Sequence, residues 1–164
     1  MQLLFLSVGA EHYAIESRRV VEVVPLVAAR PIPRMPDFIR GVFAHRGRLV
    51  PLVDLARRLA DQPLRETLST RVVVVEYPAD AALPDQPPVR IGIAAENVVS
   101  LGAGDEMNAS SPLLHAPGAA YLGRLLRIGG RTVQWIAVEH LVPPEIISAL
   151  APQPPATATV PTVA

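Results

Sequence analysis

The fold the sequence predicts is all-β for the most part: two similar small barrels packed on each other, with short helices at their edges. Three observations carry that expectation. Ten glycines and 18 prolines among 164 residues favour short strands and frequent turns over long helices. The apolar residues fall in brief runs rich in valine and isoleucine that stop at glycine or proline, as strands do. Two blocks of sequence also recur in the same order. Ile15–Val23 aligns without gaps on Ile93–Leu101, and Gly47–Val53 aligns on Gly130–Ile136. A duplication of this kind makes two like units, and closing each sheet would remove the exposed edges that many short strands otherwise present.

Taken in order, Leu3–Val8 is an apolar run ending at Gly9, and Tyr13–Ile15 resumes it, so a first hairpin is expected. Val20–Val24 reads as a strand that Pro25 ends. Arg30–Pro36 carries three prolines and reads as an extended linker. Met35–Ile39 is expected to form one helical turn with Pro36 early in it. Gly41–Leu55, GVFAHRGRLVPLVDL, is an apolar run interrupted by Arg46-Gly47-Arg48, hence a hairpin with a tight turn. Asp54 is placed to cap a short helix over Leu55–Ala60. Arg71–Tyr77 holds four consecutive valines, a strand buried on both faces. Pro78–Pro88 reads as a surface loop, Val89–Ala95 and Val98–Leu101 as two strands, and Gly102–Gly118 as an irregular loop. Tyr121–Ile128 and Arg131–Val138 form a last hairpin around Gly129-Gly130, and His140–Leu150 a closing helix. The Pro/Ala/Thr run from Pro152 has too little apolar content to bury a core.

Composition excludes several classes of function. Lys+Arg and Asp+Glu both number 15, which removes the electrostatic case for nucleic acid or an anionic membrane surface. With no cysteine there is no disulfide framework, thiolate metal site or cysteine nucleophile. The start of the chain lacks the basic region and long apolar core of a secretory signal. The two longest uncharged segments contain proline and small polar residues, unlike a membrane span. A cytoplasmic location is expected.

No catalytic constellation is visible. The four histidines, His12, His45, His115 and His140, have no i, i+4 spacing, and HExxH, GxSxG, P-loop and dinucleotide signatures are all absent from the sequence. No metal and no cofactor is expected. His45 alternates with Arg46 and is expected to be a half-exposed strand residue. Trp135 and Tyr121 are expected as core or interface anchors. The informative difference lies between the repeats. Glu22 becomes Ser100 in the second half, and Arg46 becomes Gly129. Two charges that appear together and vanish together suggest an ion pair with bidentate geometry available. The plainer alternative is two separately solvated strand residues. A small neutral β protein of this kind reads as a binding module; the alternatives are a small-ligand barrel, with Trp135 stacking on its ligand, or a self-associating scaffold.

From Phe5 to Leu141 the chain resembles CheW-type domains, the coupling modules of bacterial chemosensory arrays. The residues that carry the resemblance are Phe5-Leu6-Ser7-Val8-Gly9 with Tyr13-Ala14-Ile15, then Val20-Val21-Glu22-Val23, Ile32-Pro33, Gly41-Val42, Arg46-Gly47 and Val50–Leu55. In the second half they are Gly92-Ile93, Val98 and Leu122-Gly123. The resemblance implies two SH3-like five-stranded β-barrel subdomains in tandem. They would form one domain over residues 1–150, with subdomains of about 1–70 and 71–142 and a disordered tail over 151–164. It implies an adaptor without enzymatic activity that couples the cytoplasmic tip of a chemoreceptor to the regulatory domain of a CheA-type histidine kinase, recruited to receptor arrays without inserting in the membrane. It also implies partner-binding positions at Val20, Glu22, Gly41, Arg46 and Gly47, with Glu22 and Arg46-Gly47 at or near the receptor surface. The family's Asn-Leu-Arg-Gly segment reads Ala44-His45-Arg46-Gly47 here, Ala137 stands where a late Asp is usual, and Glu96 where Asp is common. Those departures fit an accessory system of the Wsp surface-sensing type.

Overall fold

The apolar alternation and the turn residues build nine strands and two short helices among the residues that the computed structural model describes, which are 2–77, 88–103 and 121–150. Nearly all of the expected loop over Pro78–Pro88, the loop after Ala103 and the tail lie outside that range. Strands β1 (Gln2–Val8) and β2 (Glu11–Glu16) pair antiparallel, with Leu6 opposite Tyr13. A 3₁₀ turn over Ser17–Arg19 leads into β3 (Val20–Pro25). The linker that follows touches the next strand once, through Arg30 and Val42, whose amides each donate to the other's carbonyl at 2.8 and 2.9 Å. The expected helical turn at Met35–Ile39 is a single reverse turn. The Ile39 amide donates to the Pro36 carbonyl, and Ile39 already opens β4 (Ile39–His45), so no second helical residue follows.

Strand β5 (Arg48–Asp54) returns along β4, and α1 (Leu55–Ala60) starts where Asp54 caps it, the Arg57 amide donating to Asp54 Oδ1 at 3.0 Å. Strand β6 (Arg71–Tyr77) keeps Val72, Val73, Val74 and Val75 fully buried, as its run of four valines predicts. Strand β7 (Val89–Ala103) is one long element where two strands are expected. The polar Glu96-Asn97 step does not reverse the chain. Asn97 takes a left-handed φ of 47°, which asparagine tolerates better than most residues, and the strand continues. Strands β8 (Leu122–Ile128) and β9 (Arg131–Ile136) form the last hairpin. Helix α2 (Pro144–Leu150) begins later than expected, because Pro144 suits a first helical position and not an interior one.

Pairing sorts the strands into two five-stranded, SH3-like sets that share β7. One runs β3-β6-β7-β5-β4, and the other β7-β1-β2-β9-β8. The first half of β7 pairs with β6 and the rest with β1, the change falling between Ala95 and Glu96. The sequence repeat reappears as pairing geometry. Leu52 lies beside Gly92 in a parallel pair, and their repeat equivalents, Trp135 and Ala14, lie beside each other in the other parallel pair. Each hairpin therefore pairs with a strand from the opposite half of the sequence. The two sets are interleaved through β7, which is common to both.

The interleaving decides where the core sits. Side chains of β1 alternate between two clusters: Leu4, Leu6 and Val8 join a large core that includes Val50, Leu52, Val72–Val75 and Ile91, while Leu3 joins a smaller one with Ala14, Leu126 and Val133. One apolar core thus spans both sets. Arg58 ties the same junction from outside. Its guanidinium stacks 4.4 Å from the ring centres of both Phe38 and Tyr121 and donates from Nε to the Leu141 carbonyl at 2.9 Å.

A charged cluster at the seam between β3 and β4

Among the described residues no backbone ladder joins β3 to β4, so that side of the first set is closed by the Arg30–Val42 bridge and by side chains. The hairpin geometry supplies them. Arg46 and Gly47 occupy the turn with φ of 48° and 75°, the two positive values that a type I′ turn requires. Gly47 takes its value without strain; Arg46 does so at a cost that few side chains meet. The turn carries the Arg46 guanidinium back over β3, where its Nη2 lies 3.2 Å from Glu22 Oε2. The two charges missing from the second half of the sequence do form a pair. Arg46 remains 64% exposed.

The same oxygen has a second partner that the alternation argument misplaced. His45 is buried, not half-exposed, and its Nε2 lies 2.7 Å from Glu22 Oε2. The carboxylate can only accept, so Nε2 carries the proton. The alternation of His45 and Arg46 presumes a strand at both positions, but Arg46 belongs to the turn. The usable signal was the two-residue period within β4, which places Ile39, Gly41, Phe43 and His45 on its buried face. His45 Nδ1 is buried without a partner among the described residues. The hydrogen bond from His45 holds the Glu22 carboxyl below its ordinary value, the Arg46 charge lowers it further, and partial desolvation opposes both.

The remaining expected site residues separate by role. Val20 is half-buried at the start of β3, opposite Val75, and packs on the core. Gly41 is buried, with φ 139°, and a β-carbon there would lie 2.0 Å from the Arg30 carbonyl oxygen. Its missing β-carbon is what lets the Arg30 backbone cross there. Glu22, Arg46 and Gly47 therefore share one exposed edge, with Val20 behind them and Gly41 inside. Exposed apolar side chains occur on the same sheet at Val23 and Leu49, 40% and 67% exposed.

Elsewhere, a groove of about 410 Å³ on the other sheet is lined by residues that include Phe5, Ser7, His12, Asn97 and Arg131. Trp135 is not among its lining residues; it packs beside the smaller core cluster and against Gly123. No cluster of metal-ligating side chains occurs among the described residues. No helix among them is long and apolar enough to cross a membrane.

Comparison with known families decides the larger class. The CheW-like domain family matches residues 2–144. This chain belongs to that family. Among characterised relatives, the CheW-like chain is 28% identical over 130 residues to the chemotaxis protein CheW of Treponema pallidum, a match covering 78% of this chain and 74% of the relative. It is 39% identical over 67 residues to protein FrzA of Myxococcus xanthus, covering 41% and 42%. The scaffolding protein TtCheW from Thermoanaerobacter tengcongensis superposes with a TM-score of 0.71 over 85% of this chain and 86% of that one, at 22% identity, and so shares the CheW-like fold.

Proposed function

We propose that this chain is a non-enzymatic adaptor of a bacterial chemosensory complex, binding a chemoreceptor tip and a CheA-type histidine kinase at the same time. The observation that supports this reading best is the exposed Glu22–Arg46 pair, built by the residues that the family resemblance assigns to the receptor surface. An exposed pair of this kind adds little to folding stability. Held in a fixed geometry at the end of a tight hairpin, it offers a partner a guanidinium fork beside a carboxylate. The kinase would be met elsewhere, by packing one SH3-like set against the similar regulatory domain of the kinase. Interfaces of this transient type are modest in area and dominated by a few anchors.

Calorimetric titration tests the proposal. Micromolar binding to a kinase regulatory domain, and separate binding to a receptor-tip fragment, is the expected result. Failure to bind any CheA-type kinase or receptor tip from the same genome would remove the coupling function and leave the fold unaffected.

A further inference from the structure

Three side chains meet at the β3–β4 seam, and only two of them belong to the exposed pair. His45 and Arg46 both reach Glu22 Oε2, from 2.7 and 3.2 Å, one from the buried face of β4 and the other from the turn. Glu22 Oε1 accepts from no described residue in this cluster. His45 is 7% exposed, so it offers a partner little surface, and its other nitrogen is buried without a bond among the described residues. A buried polar side chain left half satisfied costs stability compared with an apolar one of the same shape. The seam thus carries a feature that packing alone does not call for. Glu22 lies on β3, which among the described residues is paired on one side only, with β6.

We propose that His45 is a positioning residue for the partner surface: its Nε2–H pins Glu22 Oε2 from beneath, which fixes the Arg46 guanidinium above and turns Oε1 of Glu22 outward as the acceptor that a partner meets. This rests on the receptor-binding reading of the Glu22–Arg46 edge. Its consequence is preorganisation. A side chain at position 45 that cannot donate leaves Glu22 held by Arg46 alone, through a 64% exposed contact, and the two charged groups then reorient together. A partner must spend part of its binding energy on ordering them. With His45 in place that order exists beforehand. The charged groups that bear on the cluster are Glu22 on β3, Arg46 in the turn and Arg48, which stands opposite His45 in the β4–β5 register.

The experiment compares wild type with His45→Leu, which fills the space without a donor, and His45→Gln, whose amide restores one. The first readout is carbon NMR of the Glu22 side-chain carboxyl during acid titration of the free protein. In His45→Leu the Glu22 midpoint is expected to move up toward its ordinary value of 4.5, and in His45→Gln to stay near wild type. The second readout is titration with a receptor-tip fragment. Affinity is expected to fall roughly tenfold in His45→Leu, the equivalent of about 1.4 kcal/mol, with recovery in His45→Gln. An unchanged Glu22 midpoint in His45→Leu overturns the proposal, as does a binding loss that His45→Gln fails to recover. If His45→Leu does not fold, His45→Gln decides through the same midpoint: a value near wild type supports the proposal and the ordinary value overturns it. If wild type does not bind the tip, the receptor reading fails while the Glu22 midpoint still decides whether His45 holds the carboxylate.

Discussion

Replacing Gly41 by alanine separates a structural glycine from a binding one. Gly41 has φ 139°, outside the range of L side chains, and an added β-carbon would fall 2.0 Å from the Arg30 oxygen, 2.5 Å from its carbonyl carbon and 2.9 Å from the Pro31 nitrogen. All three are backbone atoms, so no side chain can swing aside. The 30–31 segment must retreat, and with it go the two bonds of the Arg30–Val42 bridge. Backbone strain of this sort costs about 1–3 kcal/mol. Two backbone hydrogen bonds contribute about 0.5–1.5 kcal/mol each. The total is about 2–6 kcal/mol, a large part of the 5–15 kcal/mol that holds a typical domain together. At about 2–4 °C per kcal/mol for a chain of this size, the melting temperature should fall by roughly 4–24 °C, read by far-ultraviolet circular dichroism. Gly47→Ala is the control. Gly47 has φ 75° but no atom within 4 Å of the added carbon, so it bears only the left-handed strain of about 1–2 kcal/mol. A Gly41→Ala protein that melts within about 2 °C of wild type, on the same size scaling, refutes the reasoning. If it also loses partner affinity, Gly41 is a contact after all.

Three further outcomes follow from the same geometry. Arg46→Ala should weaken binding of a receptor-tip fragment by about 1–3 kcal/mol, the worth of a charge-assisted bond, while the melting temperature stays nearly constant; unchanged affinity removes Arg46 from the surface. Asp54→Ala should destabilise by about 2–4 kcal/mol in urea unfolding, because the carboxylate both caps α1 and accepts from the buried Leu64 amide at 3.2 Å, and Asp54→Asn should cost about half as much. Glu22 is a carboxylate whose folded-state pKa is depressed, so its contacts with His45 and Arg46 are intact above its ordinary value of 4.5 and are lost as pH falls through the lower folded value. Tip binding should therefore hold steady from neutrality to about pH 5 and drop only in more acidic buffer, a profile that Glu22→Gln should abolish.

Much of the architecture was legible from pattern alone, and the exceptions share a cause. Local signals placed the β4–β5 hairpin and α1, because turn glycines, a capping aspartate and alternating apolar residues each act within a few positions. The repeat was legible too, and it returns in the register of two parallel pairs. What the pattern did not carry was which strand pairs with which. Short apolar strands are interchangeable partners on sequence grounds, and only the shared core decides that β5 joins β7 and β9 joins β2. The Glu22–Arg46 pair was legible as two charges absent together from the other half. His45 was misplaced by pairing it with Arg46, although the period of β4 through Ile39, Gly41 and Phe43 puts it on the buried face.

The interleaving bears directly on how such a surface is kept in place. The polar devices that distinguish the first half, Glu22 on β3, His45 and Arg46 on the β4–β5 hairpin, and Asp54 at its end, all lie on one sheet set. Their repeat counterparts include Ala137, which precedes a short 3₁₀ turn with no side-chain cap, where Asp54 starts an α-helix. The specialised copy therefore carries a charged seam that the counterpart positions Ser100, Gly129 and Ala137 do not repeat. Had the copies folded side by side, the specialised copy would have rested on its own small core. Instead its central strand, β7, comes from the other half and runs on into the second sheet set, beneath a core common to both. Displacing the β3–β4 seam would then disturb packing across the whole molecule, and well-packed interiors resist such displacement. A charged cluster whose two strands do not pair with each other among the described residues gains its fixed geometry from that shared core, which is the condition a recognition surface needs and an isolated surface ion pair does not meet.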